Sequence, residues 1–233
     1  MFEVWAFIVA VAACVTALHS RAGSRQLKRA EFIRTYRWPR GLLDKLSEKH
    51  PGITRKDAAL VSRGLRQFFI AYLMSDRNFV SMPSQVADDL WHEFILYTRE
   101  YQEFCRRAFG AFLHHTPAVV LAPAQRSRNE GLRRVWWYAC KYENINPYQP
   151  TRLPLLFALD AKLKVLHGFR YELNCDPLRR DGMTNVYCAA ELADRRVDGS
   201  IDGFDDRRRH GLSGGCGGGG GGEGGGCGGG CGS

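Results

Sequence analysis

Before its glycine-rich C-terminus, the chain has no phosphate-cradling glycine loop, no G-x-S-x-G elbow and no dinucleotide fingerprint. Nucleotide-dependent and serine-hydrolase chemistry therefore have no motif to rest on. Neither H-E-x-x-H nor C-x-x-C occurs, so no standard zinc spacing is present. Strand patterns are few and the core shows no internal repeat, which leaves an all-α class. Acidic residues are short: 24 Asp and Glu stand against 33 Lys and Arg, giving a net charge of +9. That balance favours anionic partners, either lipid headgroups or nucleic acid. Long apolar runs are also scarce, and only one occurs.

That run is Val4 to Leu18, VWAFIVAVAACVTAL. A membrane-spanning helix needs about 20 residues, with a lower range near 17. With Phe2 and His19 counted, the segment reaches that lower limit. Arg21, Arg25, Lys28 and Arg29 follow it, and only Glu3 is charged on the other side. The positive-inside rule then sets the N-terminus outside and the main domain in the cytoplasm. This predicts a single-pass anchor in a bacterial inner membrane, with lipid as its partner. A cleavable signal would begin with Lys or Arg and end at a small-residue site, and neither is present. Val11-Ala12-Ala13-Cys14 reads alternatively as a lipoprotein box with Cys14 lipidated.

Four segments follow from composition: an anchor over 1–20, a helical domain over 21–175, a polar linker over 176–210, and a disordered Gly/Cys-rich tail over 211–233. The fold expected is an irregular multi-helix bundle. Its helices run from Gln26 to Tyr36, from Pro39 to His50, and from Thr54 to about Ser75. Thr54 and Asp57 form a capping pair, and Val61, Leu65, Phe68, Phe69 and Tyr72 form a buried stripe. His50 reads as a solvated helix end before Pro51. Asn129 to Asn144 reads as a helix with Val135, Trp136, Ala139 and Cys140 inward and Arg133, Arg134 and Lys141 outward. Another runs from Pro154 to Gly168, and Phe169 to Leu173 suits a short strand.

The densest chemistry lies between Ser84 and Pro117. Val86, Leu90, Phe94, Tyr97, Tyr101, Phe104, Ala108 and Phe112 recur at helical spacing. The pattern predicts one long helix, N-capped by Ser84 and stopped by Gly110. The run DDLWHEFILYTREYQEFC, followed by FGAFLHHTP, resembles the signature of the glycine-rich domain-containing protein family. The residues that carry it are Asp88 or Asp89, Trp91, His92, Tyr101, Cys105, His114, His115 and Pro117. The resemblance spans roughly residues 40 to 170, and the glycine tail accords with it. It carries over no catalytic chemistry.

Asp88 and His92 are four apart, so a helix sets them on one face. With Cys105, His114 and His115 they supply N, O and S donors for a metal, zinc above all. On a straight helix His92 and Cys105 lie about 19 Å apart, too far to share an ion. The usable sets are therefore Asp88, Asp89 and His92, or Cys105 with His114 and His115. The metal candidates are Asp88, His92, His114 and His115. The plainer reading has His92 bonded to Asp88 and the histidine pair capping the helix end.

Cys175 and Cys188 read as free thiols in a reducing compartment and as a disulfide in an oxidising one. Cys216, Cys227 and Cys231 sit in the glycine tract, which has no core to bury them, and form a candidate thiol site for a soft metal or a modification. Arg126, Arg128, Arg133 and Arg134 lie beside Trp136, Trp137 and Tyr138. However, no RNA-recognition signature or Arg-Gly-Gly unit accompanies them, so nucleic acid is not the expected partner. The resulting expectation is a membrane-anchored helical binding or assembly module with an unidentified protein partner. The alternative is a metal-dependent enzyme or metal-binding protein built on the Asp/His cluster.

Overall fold

A computed structural model describes residues 2–115, 130–175 and 187–193. Among them are eight helices and one two-stranded parallel sheet. The chain is mostly helical, as its lack of strand patterns requires.

α1 (Phe2–Thr35) is one continuous helix of 34 residues. The anchor and the basic helix expected to follow it are thus a single rod. Its C-terminal part packs on the domain through Ala30 and Ile33. Trp5, Phe7 and Val11 near its start are exposed. The other side chains of the apolar run lie mostly outside the described residues. Among the described residues, no helix is long and apolar enough to cross a membrane.

α2 (Leu42–Lys49) inserts Leu42 and Leu46 into the core. α3 (Arg55–Met74) opens with the Thr54–Asp57 capping box, in which Thr54 Oγ1 accepts from Asp57 N. α3 is buried on most faces and is the spine of the molecule, touching α1, α2 and α4. Such all-round burial needs a side chain sequence rich in small and apolar residues, which ALVSRGLRQFFIA provides. Gly64 permits a close approach here: a Cβ on it would collide with Leu159 of α7 (Leu155–Lys162). α6 (Glu130–Tyr142) covers another side of α3 through Val135, Trp136, Ala139 and Cys140. Arg133, expected outside, is buried instead.

The long helix expected from Ser84 to Gly110 is two helices, α4 (Gln85–Leu96) and α5 (Thr98–Ala108). The break is at Tyr97, with φ −80° and ψ 64°. It lets the aromatic face fold over itself: Phe94 meets Tyr101 and Phe104 edge-on, at ring separations of 5.2 and 5.3 Å. Helical spacing continues across the break, so the pattern alone does not reveal it.

α7 ends at Lys162 rather than Gly168, and Lys164 and His167 both adopt positive φ. β1 (Tyr171–Glu172) pairs with β2 (Tyr187–Cys188), which leads into α8 (Ala189–Ala193) on α6. The segment taken as an irregular linker therefore contributes ordered elements. Cys175 and Cys188 form a disulfide rather than two free thiols, with Cα atoms 5.7 Å apart. Cys216, Cys227, Cys231, Arg126 and Arg128 lie outside the described residues.

Candidate metal centre

Two helix ends and one chain reversal build the site. The first end is the start of α4. Asp160, buried on α7, accepts from Ser84 Oγ at 2.7 Å, Gln85 N at 2.7 Å, Val86 N at 3.2 Å and Phe169 N at 2.8 Å. Ser84 caps α4 as expected, accepting from Ala87 N at 3.2 Å. A buried carboxylate against free backbone N–H groups satisfies orphan donors and complements the positive helix end. The sequence marks Asp160 only as a polar residue on an apolar helix.

The second end is that of α5. Gly110 takes φ 76° and donates to the Cys105 and Arg106 carbonyls. A side chain there would be strained, and its Cβ would meet Arg29 at 2.6 Å. The chain turns back over Trp91 and Tyr101. Trp91 Nε1 donates to Tyr101 Oη at 3.1 Å, and Tyr101 Oη donates to the Leu113 carbonyl at 2.6 Å. Burial pushes the Tyr101 hydroxyl well above its ordinary pKa, so it stays a donor. Cys105 is fully buried beside it, and burial pushes its thiol up. It packs; it does not reach a ligand.

That relay fixes His115. Its Nε2 lies 2.9 Å from Asp88 Oδ1, and its ring meets Trp91 at 4.6 Å. His92 comes from the same face of α4 as Asp88, with Nδ1 3.7 Å from Asp88 Oδ2 and its ring 4.3 Å from that of His115. The ligand atoms of Asp88, His92 and His115 all lie within 4.8 Å of one another. A tetrahedral ion with bonds of about 2.0–2.1 Å sets its ligand atoms about 3.3 Å apart. The 2.9 and 3.7 Å separations straddle that value.

The three residues line a cavity of about 530 Å³. Its wall includes the extended segment Phe79–Met82, held against α6 by Arg134 Nη1 donating to the Phe79 carbonyl at 2.6 Å. Asp76 and Arg77, both non-glycine, take φ of 54° and 64° just after α3. Strain of this kind collects where a side chain must be aimed, and here Arg77 joins the cavity wall.

The structure thus joins members of both expected sets and drops others. His114 lines the cavity, but its ring packs on Phe112 at 4.8 Å, and it stands outside the three-residue cluster. Asp89 points elsewhere, since neighbours on a helix diverge by about 100°. It binds Lys49 Nζ at 2.6 Å and His50 Nε2 at 2.8 Å. His50 is therefore no solvated helix end; it ties α2 to α4.

Residues 28–192 match the UCP032817-like family. The chain belongs to the UCP032817-like family. The matched span begins within α1 and ends within α8, so it takes in the whole packed domain and every residue of the centre. No curated protein and no solved structure matches the chain.

Proposed function

We propose that this chain is a membrane-tethered helical module whose pocket holds a divalent transition metal, zinc above all, through Asp88, His92 and His115. The observation that carries this reading is the convergence of three ligand atoms within 4.8 Å on a cavity wall. Two imidazoles and one carboxylate suit zinc and leave a coordination position facing the cavity for a small ligand. Imidazole and carboxylate bind a metal only in their deprotonated forms, so affinity should rise with pH.

The test is metal content of the detergent-solubilised full chain carrying Cys216→Ser, Cys227→Ser and Cys231→Ser, which removes the tail thiols as competitors. About one equivalent of zinc is expected, with loss in Asp88→Ala and His115→Ala. Absence of stoichiometric metal, with no uptake from micromolar zinc, would sink the reading. In that case the 2.9 Å Asp88–His115 bond and the His115–Trp91 contact stand as a structural clamp. Both variants would then lower the thermal midpoint without touching metal.

The tether is proposed on the apolar run and on the exposed Trp5, Phe7 and Val11 of α1. Its basic flank supports anionic lipid as partner and a cytoplasmic domain. Kinship with the glycine-rich domain-containing proteins is proposed on the residues quoted for it alone.

A further inference from the structure

A second cleft, of about 750 Å³, opens between the end of α1, α3, the end of α6 and α7. Arg34, Arg63, Arg66, Arg152 and Lys162 line it, against a single carboxylate, Glu143. Glu143 is already fully engaged. Its Oε1 accepts from Gln67 Nε2 and Leu155 N, both at 2.6 Å, and its Oε2 is paired with Arg152. Burial alone would push the Glu143 carboxyl up, but these bonds outweigh it and hold it below its ordinary value. The Arg152 charge is thereby matched and four cations remain.

Arg66 is the decisive one. It is half-buried, and its partners are neutral: Nη2 donates to the Tyr36 carbonyl at 2.6 Å, Nη1 to Ser62, and the guanidinium stacks on Trp38 at 4.7 Å. Its Nε is buried without a hydrogen-bond partner. A half-buried charge without a counter-ion is costly to the fold unless an anion is supplied from outside. Arg63 and Lys162 are exposed, and among the described residues neither has a carboxylate partner. Arg34 lies over the Tyr142 ring at 5.4 Å, and its carboxylate partner among the described residues is the surface Glu31, at 3.5 Å, a pair of little strength.

We infer that this cleft binds a small anion bearing two or more phosphate groups. Several guanidinium forks converging on one space match phosphate geometry and multiple charge better than a lone carboxylate would. The volume is ordinary for a small-molecule site. A lipid headgroup carries the same chemistry, but Arg34 lies 16 residues beyond Leu18, the end of the apolar run, on one continuous helix, about 24 Å along its axis. The cleft is thus remote from the apolar end of α1, and a soluble phosphate compound is the fitting source.

The test titrates inorganic pyrophosphate into the detergent-solubilised full chain by calorimetry. The comparison is with the Arg63→Gln/Lys162→Gln double variant, whose exposed positions should leave the fold intact. Saturable binding is expected, at least ten-fold weaker in the double variant and unchanged in Asp88→Ala, which separates this cleft from the metal centre. Equal affinity in parent and double variant would overturn the inference. So would absence of saturable binding. A third overturning result is binding only to phosphatidylglycerol vesicles, lost in the double variant, since it would reassign the cleft to lipid.

Discussion

Tyr101 bears on the candidate metal centre although it lies outside the Asp88, His92 and His115 cluster. It is no ligand, yet it accepts from Trp91 and donates to the Leu113 carbonyl two residues before His115. Tyr101→Phe keeps the ring and removes both bonds. It should cost about 1–3 kcal/mol, the range for stranding buried polar groups, and should weaken zinc binding although all three ligands remain. Denaturant titration and a zinc competition assay would check the two effects, and unchanged zinc affinity would detach the relay from the site. Asp89 shows how the neighbouring carboxylate differs. Burial by itself would raise its pKa, but hydrogen bonds from Lys49 and His50 and their charges outweigh that and hold it below the ordinary value. The unfolded chain therefore takes up this proton at higher pH than the folded one. The stabilisation is complete above the ordinary carboxylate range and is lost as pH falls through the depressed folded value. Asp89→Asn should cost about 1.5–3 kcal/mol near neutrality and flatten the dependence of the thermal midpoint on pH below about 4. A parallel pH profile in parent and variant would contradict this. The sequence shows the donor types at both positions but not which of the adjacent acids faces the cavity, because that depends on where α2 packs.

Helix spacing read most elements correctly, since a stripe such as Val61, Leu65, Phe68 and Phe69 serves any neighbour that covers it. It failed at Tyr97, where the apolar period runs on although the backbone turns. It also failed after Lys162, where Lys164 and His167 turn in the left-handed region. Gly64 carries an element-scale test. Alanine is the better helix former by about 1 kcal/mol, but the added Cβ collides with the fully buried Leu159 side chain, which must shift within the core. Overpacking of a tight core costs about 1–3 kcal/mol. Gly64→Ala should therefore destabilise or at best break even, and Gly64→Val should do so clearly. A raised thermal midpoint in either variant would mean that α3 and α7 are not packed this closely.

For the whole molecule, two signals on sidedness oppose one another. The basic flank of α1 is the ground for the cytoplasmic domain proposed above, whereas a disulfide such as Cys175–Cys188 is the form cysteines take in an oxidising compartment. The flank acts at insertion, while the cysteines need only be adjacent, and in a reducing compartment the same pair stands as two thiols. Alkylation under denaturing conditions, followed by peptide mapping, should find Cys175 and Cys188 closed to label until reductant is added, as the structure has them joined; label without reductant would favour the proposed cytoplasmic domain. Blockage released only by reductant would put the domain on the oxidising side. Cys140 should stay unlabelled in the native protein in either case, because burial pushes its thiol up to about 12. By itself the sequence determined the helical class, the caps at Thr54 and Ser84, most inward faces and the residue types of the centre, because those follow from spacing and local bonding. Only the tertiary structure decided that His115 rather than His114 joins Asp88 and His92, that Cys105 serves packing while Asp89 pairs with Lys49 and His50, and that five scattered cations share one cleft. Each of those depends on where a chain reversal or a neighbouring helix delivers a side chain, a long-range fact that no local period encodes.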